Sequence, residues 1–170
     1  MCTRGWVLGL IGLMALSGCK RELRVSKGDE LFAVLDEAVL EVSLRGPGGS
    51  AVAQRATAGA AYSFSRSGGG GPAERCAAPQ QLQAALVPIQ QIRVRDVVSS
   101  DKAKAVRGRP AAQWTQLEVR DVMEGVDPYR LRLLEAGAPS GLLFAQQPQD
   151  EQIVLVDRAV LDLLSLHCAR

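Results

Sequence analysis

Histidine is nearly absent from this chain: His167 is the only one among 170 residues. One imidazole cannot build a His-rich zinc or di-iron centre within a single chain. A Ser-His-Asp system would have to recruit that residue from three positions before the end. Aromatic residues are also scarce, at 4%. Single-stranded nucleic acid and sugars are recognised on exposed aromatic platforms, and Phe32, Tyr62, Phe64, Tyr129 and Phe144 all fall on expected core faces. Only Trp114 stands as a candidate for exposure, its alternative being a place packed at a sheet edge. A strong charge of either sign is missing too, since 20 Lys and Arg face 18 Asp and Glu. Attraction of the whole molecule to nucleic acid is therefore not expected. No hydrophobic run is long enough for a finished membrane span. The longest, Trp6 to Leu16, would rise roughly 17 Å as a helix, about half of the ~30 Å hydrocarbon core.

That short run has a specific context. Arg4 precedes it, and Leu16-Ser17-Gly18-Cys19 follows it. The order is charged region, apolar region, small-residue cleavage site, as in an export signal. Leu-Ser-Gly-Cys resembles the lipobox of bacterial lipoproteins. The resemblance implies that residues 1–18 are removed and that Cys19 carries lipid. The alternatives are an ordinary secretory signal and a buried N-terminal helix. Several acyl chains on one cysteine would hold the protein far more firmly than a single myristoyl chain. Residues 19–29 read as the lipidated tether and 30–170 as a single domain, facing the periplasm. Lys20 beside the acylated cysteine favours the outer membrane slightly over the inner. Basic residues of the tether either touch anionic headgroups or are simply solvated.

Cys2 leaves with the signal and Cys19 is acylated, so Cys76 and Cys168 remain. In an oxidising compartment this exported pair is a disulfide candidate. The rival reading is a thiol nucleophile served by His167. Adjacent residues such as His167 and Cys168 seldom point the same way, which disfavours it.

Composition is globular, with 47% hydrophobic and 22% charged residues. The roughly 150 residues left after cleavage suit one domain that buries a core without metal or cofactor. Leu40, Val42 and Leu44 alternate with polar residues and predict a half-buried strand. Gly46-Pro47-Gly48-Gly49 then turns the chain into a returning strand. Tyr62 and Phe64 mark a third strand, and the glycine run Gly68–Gly71 reads as a flexible loop, lacking the Lys-Ser/Thr ending of a phosphate-binding loop. Leu82, Leu86 and Ile89 recur at helical spacing, with Pro79 at the start and Pro88 as a break or kink. Ile92 to Val98 resumes as one strand. Residues 99–113 read as the longest unstructured connection, and Lys102, Lys104, Arg107 and Arg109 concentrate positive charge there. They either contact an anionic surface or form a solvated loop. Thr115 to Arg120 and Tyr129 to Leu133 alternate as two further strands, joined around Gly125-Val126-Asp127-Pro128. Ile153-Val154-Leu155-Val156 is apolar on both faces and predicts a central strand. Asp157 would cap a closing helix with Val160, Leu161 and Leu164 facing inward. The expected class is α+β, antiparallel strands with two main helices. Leu40-Glu41-Val42 is echoed by Leu117-Glu118-Val119, which suggests two similar strand-rich halves, each closed by a helix.

The pattern Val39-Leu40-Glu41-Val42-Ser43-Leu44, then Tyr62-Ser63-Phe64, then the leucine helix Leu82 to Ile92, resembles the exported bacterial domains grouped as the domain of unknown function 4340 family. So does the valine-rich strand Ile153 to Val156 running into Leu161-Asp162-Leu163-Leu164. The resemblance would span about residues 30 to 166 and rests on fold motifs alone. The family's tryptophan after the first hairpin is missing here. What the resemblance implies is an envelope protein without an established activity, sometimes associated with transport or gliding-motility components. No Gly-x-Ser-x-Gly elbow, calcium loop or Cys/His metal spacing occurs, and the acid pairs Asp36-Glu37 and Asp150-Glu151 sit at element boundaries where solvated acids are normal. The expectation is thus a non-catalytic, membrane-anchored interaction or accessory subunit of an envelope complex, without cofactor, metal or nucleic acid. The alternative is a solitary small-ligand-binding lipoprotein of the periplasm.

Overall fold

The structure, a computed structural model, describes residues 25–168 except Leu35, Gly69, Glu124, Gly125 and Gln149. The expected export signal, Cys19 and the start of the expected tether lie outside the described residues. Strand β1 (Glu30–Ala33) leads through a 3-10 turn into β2 (Val39–Gly46), β3 (Gly49–Gln54), β4 (Ser63–Gly68) and β5 (Gly71–Ala77), followed by helix α1 (Leu82–Gln90). Strands β6 (Gln91–Arg93) and β7 (Asp96–Val97) and helix α2 (Ser100–Arg107) connect to the second half. There β8 (Thr115–Asp121), β9 (Tyr129–Leu134), β10 (Leu142–Gln146) and β11 (Val154–Asp157) precede a 3-10 helix over Arg158–Ser165.

Nine strands form one antiparallel sheet in the order β5-β4-β3-β2-β8-β9-β10-β11-β7, while β1 and β6 pair separately. The fold is α+β. Each half is a four-stranded meander closed by a helical segment. The halves meet where β2 runs beside β8, with Val42 opposite Val119 and Leu44 opposite Leu117. The two echoed triplets thus lie on the two strands of this seam.

Alternation divides the sheet into two faces. The inner face carries Val42, Leu44, Phe64, Leu117 and Leu131 against Leu86 and Ile89 of α1, Ile92, and Val160 and Leu163 of the 3-10 helix. A smaller cluster lies on the outer face, where Ala103 and Val106 of α2 cover Leu134, Phe144 and Leu155 beside Trp114. Trp114 is buried, so its packed alternative holds. Apart from the half-buried Val52, the rest of the outer face over β2, β3, β8 and β9 carries polar residues such as Glu41, Arg45, Gln116, Glu118 and Arg130, which suits an antiparallel sheet with one solvated side. Cys76 and Cys168 stand at disulfide distance, Sγ to Sγ 2.19 Å and Cα to Cα 5.8 Å, across a separation of 92 residues.

Several sequence expectations need correction. In β2 the core positions are Val39, Val42 and Leu44, and Leu40 is only half-buried. Val39 pairs with Asp121 and Glu41 with Arg120, so Leu40 is an inserted residue, and this β-bulge shifts the alternation by one. The glycine run is a hairpin turn and not a free loop, with Gly68 paired to Gly71. Beyond it β5 went unanticipated, because Pro72-Ala73-Glu74-Arg75 has no apolar alternation. At a sheet edge such a strand tolerates proline.

The stretch from Ile92 to Val98 is two strands, β6 in the small sheet and β7 at the edge of the large one. The expected unstructured connection over 99–113 holds helix α2 and a 3-10 turn at Ala111–Gln113. Asp101 in the first turn of α2 and Lys104 and Arg107 in the last complement its dipole, a signal that its short apolar face obscured. The run over 153–156 sits second from the sheet edge, and it is apolar on both faces because a core cluster covers each side. The closing segment is a 3-10 helix, so Val160, Leu163 and Leu166 are buried, while Leu161 and Leu164 are only half-buried. Three residues per turn puts every third side chain on the same side.

Candidate functional site

The β8–β9 connection is anchored by local chemistry. The Asp121 carboxylate accepts the Met123 backbone N–H at 2.8 Å, and the Val122 N–H donates to the Ala38 carbonyl at 2.9 Å. Both bonds hold an apolar segment out at the surface. Val122, Met123 and Val126 are 42%, 60% and 55% exposed, and among the described residues only Val87 and Val97 join them as exposed large hydrophobics. Three such side chains fall on one hairpin connection and make it a candidate patch, in contrast to the single exposed apolar residues that any surface carries.

Beside this patch opens a cleft of about 490 Å³, lined by Phe32, Val119, Val126, Pro128 and Tyr129, with Asp121, Asp127, Arg130 and Gln147 supplying polar edges. Its floor is a stacked aromatic pair: the Phe32 and Tyr129 rings lie 4.2 Å apart at 17°. Such a pair contributes about 0.5–1.5 kcal/mol beyond the area it buries. Phe32 comes from β1 and Tyr129 from β9, so the stack joins the small sheet to the large one. The Tyr129 hydroxyl is buried and makes no hydrogen bond among the described residues. Burial pushes its pKa up to about 12, opposed in part by the nearby Gln147 side chain, whose geometry falls short of a hydrogen bond. The cleft presents apolar contact area with polar edges, and the Tyr129 hydroxyl lies buried beneath it.

Of the residues singled out from sequence, Cys19 lies outside the described part. Cys76 and Cys168 come together. The Cys168 N–H donates to Glu74 at 3.0 Å, and His167 stands 3.4 Å from the same carboxylate. These contacts, the Cys168 N–H first, hold the Glu74 pKa below its ordinary value. They fasten the C-terminal segment against edge strand β5. Lys102, Lys104, Arg107 and Arg109 do not converge on one point. Lys102 lies over the Phe144 ring at 5.2 Å, and Arg107 donates to the Glu151 carbonyl with its carboxylate 3.8 Å away. Lys104 is exposed near the end of α2, and Arg109 is exposed beyond it. By sequence alone Phe32 and Tyr129 fall on core faces, and both are partly buried against the core, whereas the β8–β9 connection reads only as a turn. The available signal was Val122-Met123, two apolar side chains in a segment that a solvated turn would fill with polar ones.

The fold defines an α+β protein with a nine-stranded antiparallel sheet, and its most distinctive surface is an apolar hairpin tip beside an aromatic-floored cleft. No protein-family model matches the chain, and no curated protein or solved structure does either.

Proposed function

We propose that this chain is a lipid-anchored lipoprotein of the bacterial cell envelope that acts, without catalysis, as an interaction or accessory subunit of a membrane-associated complex. Cys19 carries the lipid after cleavage of residues 1–18, and the domain faces the periplasm. Transport and motility assemblies are the settings that the resemblance to the unknown-function family suggests. The observation that carries the interaction role is the exposed patch of Val122, Met123 and Val126 next to the Phe32–Tyr129 cleft. Burying an exposed apolar patch contributes about 25 cal/mol per Å², so its natural complement is another apolar surface.

Mild crosslinking in the native envelope tests this. The wild type is expected to yield one discrete partner that is lost both in Cys19→Ala, which cannot be acylated, and in Met123→Asp, which charges the patch. The intact mass should equal a chain beginning at Cys19 plus acyl groups. A mass matching an unacylated chain that begins before Cys19 would refute the anchor.

A second reading is favoured by the size of the cleft, which falls in the roughly 300–1,000 Å³ range of small-molecule sites. On that reading the protein works alone and carries a small apolar ligand. Native mass spectrometry would find a bound small molecule that Tyr129→Ala releases, and crosslinking would find no protein partner.

A further inference from the structure

The polar outer face holds a second cleft, separate from the apolar one and unused by the function above. It encloses about 270 Å³ over strands β2, β8 and β9, and its charged lining is Arg45, Glu118, Arg130 and Arg132. Register fixes how these residues meet. Arg45 stands opposite Gln116, and Gln116 stands opposite Arg132, so one straight row crosses three strands. Directly opposed residues share a face, and two strand spacings place the two arginine backbones about 10 Å apart. The neighbouring row reads Ser43, Glu118, Arg130.

The charges in this cleft do not cancel. Glu118 engages Arg130 at 3.0 Å, leaving Arg45 and Arg132 with no carboxylate partner among the described residues. Arg132 is nonetheless held in place, because its guanidinium lies 4.6 Å over the Trp114 ring, whose own position is fixed by burial beneath α2. A stacked guanidinium keeps its plane and its donors available along the edge. Between the two arginines lies the Gln116 amide. Ser43, only 4% exposed, contributes its hydroxyl to the cleft. Two uncompensated arginines, an amide and a hydroxyl around a small volume match an oxyanion of charge about −2.

We propose that this cleft binds a phosphomonoester, with Arg45 and Arg132 as the paired anion ligands and Gln116 and Ser43 completing the oxygen contacts. A monoester carries about −1.5 to −2 charge at pH 7, whereas a diester carries one. The site should therefore prefer the monoester. Phosphate on a soluble metabolite and phosphate on a lipid headgroup present the same chemistry to it.

Calorimetric titration of the full-length, detergent-solubilised protein separates the possibilities. Glycerol phosphate is the soluble probe, short-chain phosphatidic acid in the micelle is the lipid probe, and phosphatidylglycerol is the diester control. The expected result is at least about tenfold weaker binding of the diester. Arg45→Gln and Arg132→Gln should each weaken monoester binding about tenfold or more, with Arg132→Lys intermediate. Arg93→Gln, on β6 in the separate small sheet, should leave it unchanged. Arg45 is exposed, so Arg45→Gln should keep the unliganded Tm and report on binding alone. Tighter binding of phosphatidic acid than of glycerol phosphate would assign the phosphate to a lipid, and the reverse order to a soluble molecule. Equal affinity for monoester and diester, undiminished binding by Arg45→Gln, or an equal loss in Arg93→Gln would each overturn the site.

Discussion

Tyr129 shows how one residue serves both stability and surface chemistry. Its ring joins the two sheets through Phe32, and its hydroxyl stays neutral because ionising it would place a charge where water is scarce. The sign of the pH effect follows from linkage. A folded-state pKa of about 12, raised from 10.0, means that the native state holds its proton more tightly than the unfolded chain. The contribution is fully present below pH 10 and is lost as pH rises from 10 towards 12, by roughly 2–3 kcal/mol for a shift of this size. Tyr62 is shifted the same way by burial, with the opposing charge of Arg55 moderating it. Absorbance titration at alkaline pH should therefore show neither tyrosine ionising normally, and Tyr129→Phe should flatten the loss of stability above pH 10. A normal titration of both would contradict the packed stack. At this scale the sequence was legible for Cys76 and Cys168, which elimination left as the only pair. It was not legible for Phe32 and Tyr129, because nothing local says that β1 crosses over to β9.

Elements were legible where alternation or helical spacing was long. The strands from Thr115 to Arg120 and from Tyr129 to Leu133 appear as read, and so does the helix carrying Leu82, Leu86 and Ile89. Helix α2 was hidden because only Ala103 and Val106 mark its buried side. The closing segment is ambiguous in period, since Leu161, Leu163 and Leu164 satisfy both 3.6 and 3.0 residues per turn in part, and the structure adopts 3.0. The structure makes that choice testable. Leu163→Ala removes a fully buried side chain and should cost about 2–5 kcal/mol in chemical denaturation, while Leu161→Ala, half-buried, should cost clearly less. The reverse ranking would restore the α-helical spacing. The hairpin turns carry a similar prediction. Gly49, at φ +121°, presses against the backbone of Ser67 and Gly68, leaving no room for a Cβ, whereas Gly59, at φ +75°, faces open space. Gly49→Ala should lower Tm more than Gly59→Ala, because the first adds a backbone clash to the shared left-handed strain.

Across the whole molecule, the two meanders share one sheet, and the Cys76–Cys168 pair ties the end of the second half to edge strand β5 of the first. A link across 92 residues restricts the unfolded chain by roughly 4–5 kcal/mol in the loop-entropy picture. Reductant should lower the denaturation midpoint by a corresponding amount, and Cys76→Ala should reproduce the loss and abolish the effect of reductant. An unchanged midpoint would mean that the pair does not bridge. The α+β class and the repeated order of strands and helix could be read from the sequence, because turn residues and apolar periods recur in both halves. The candidate binding surface could not be read, since it is assembled from β1, β9 and a hairpin tip that periodicity alone leaves unconnected.

The most direct test of the interaction role places a photo-crosslinking amino acid at position 123 in the anchored protein, within its native envelope, and a matched one at position 87. Both sites are exposed and apolar, at 60% and 55%, so reactivity alone does not separate them. A single adduct at position 123 that is absent at 87 and disappears in Val126→Asp would match a partner docked on the hairpin tip. The same adducts from both positions, or none from 123, would contradict it.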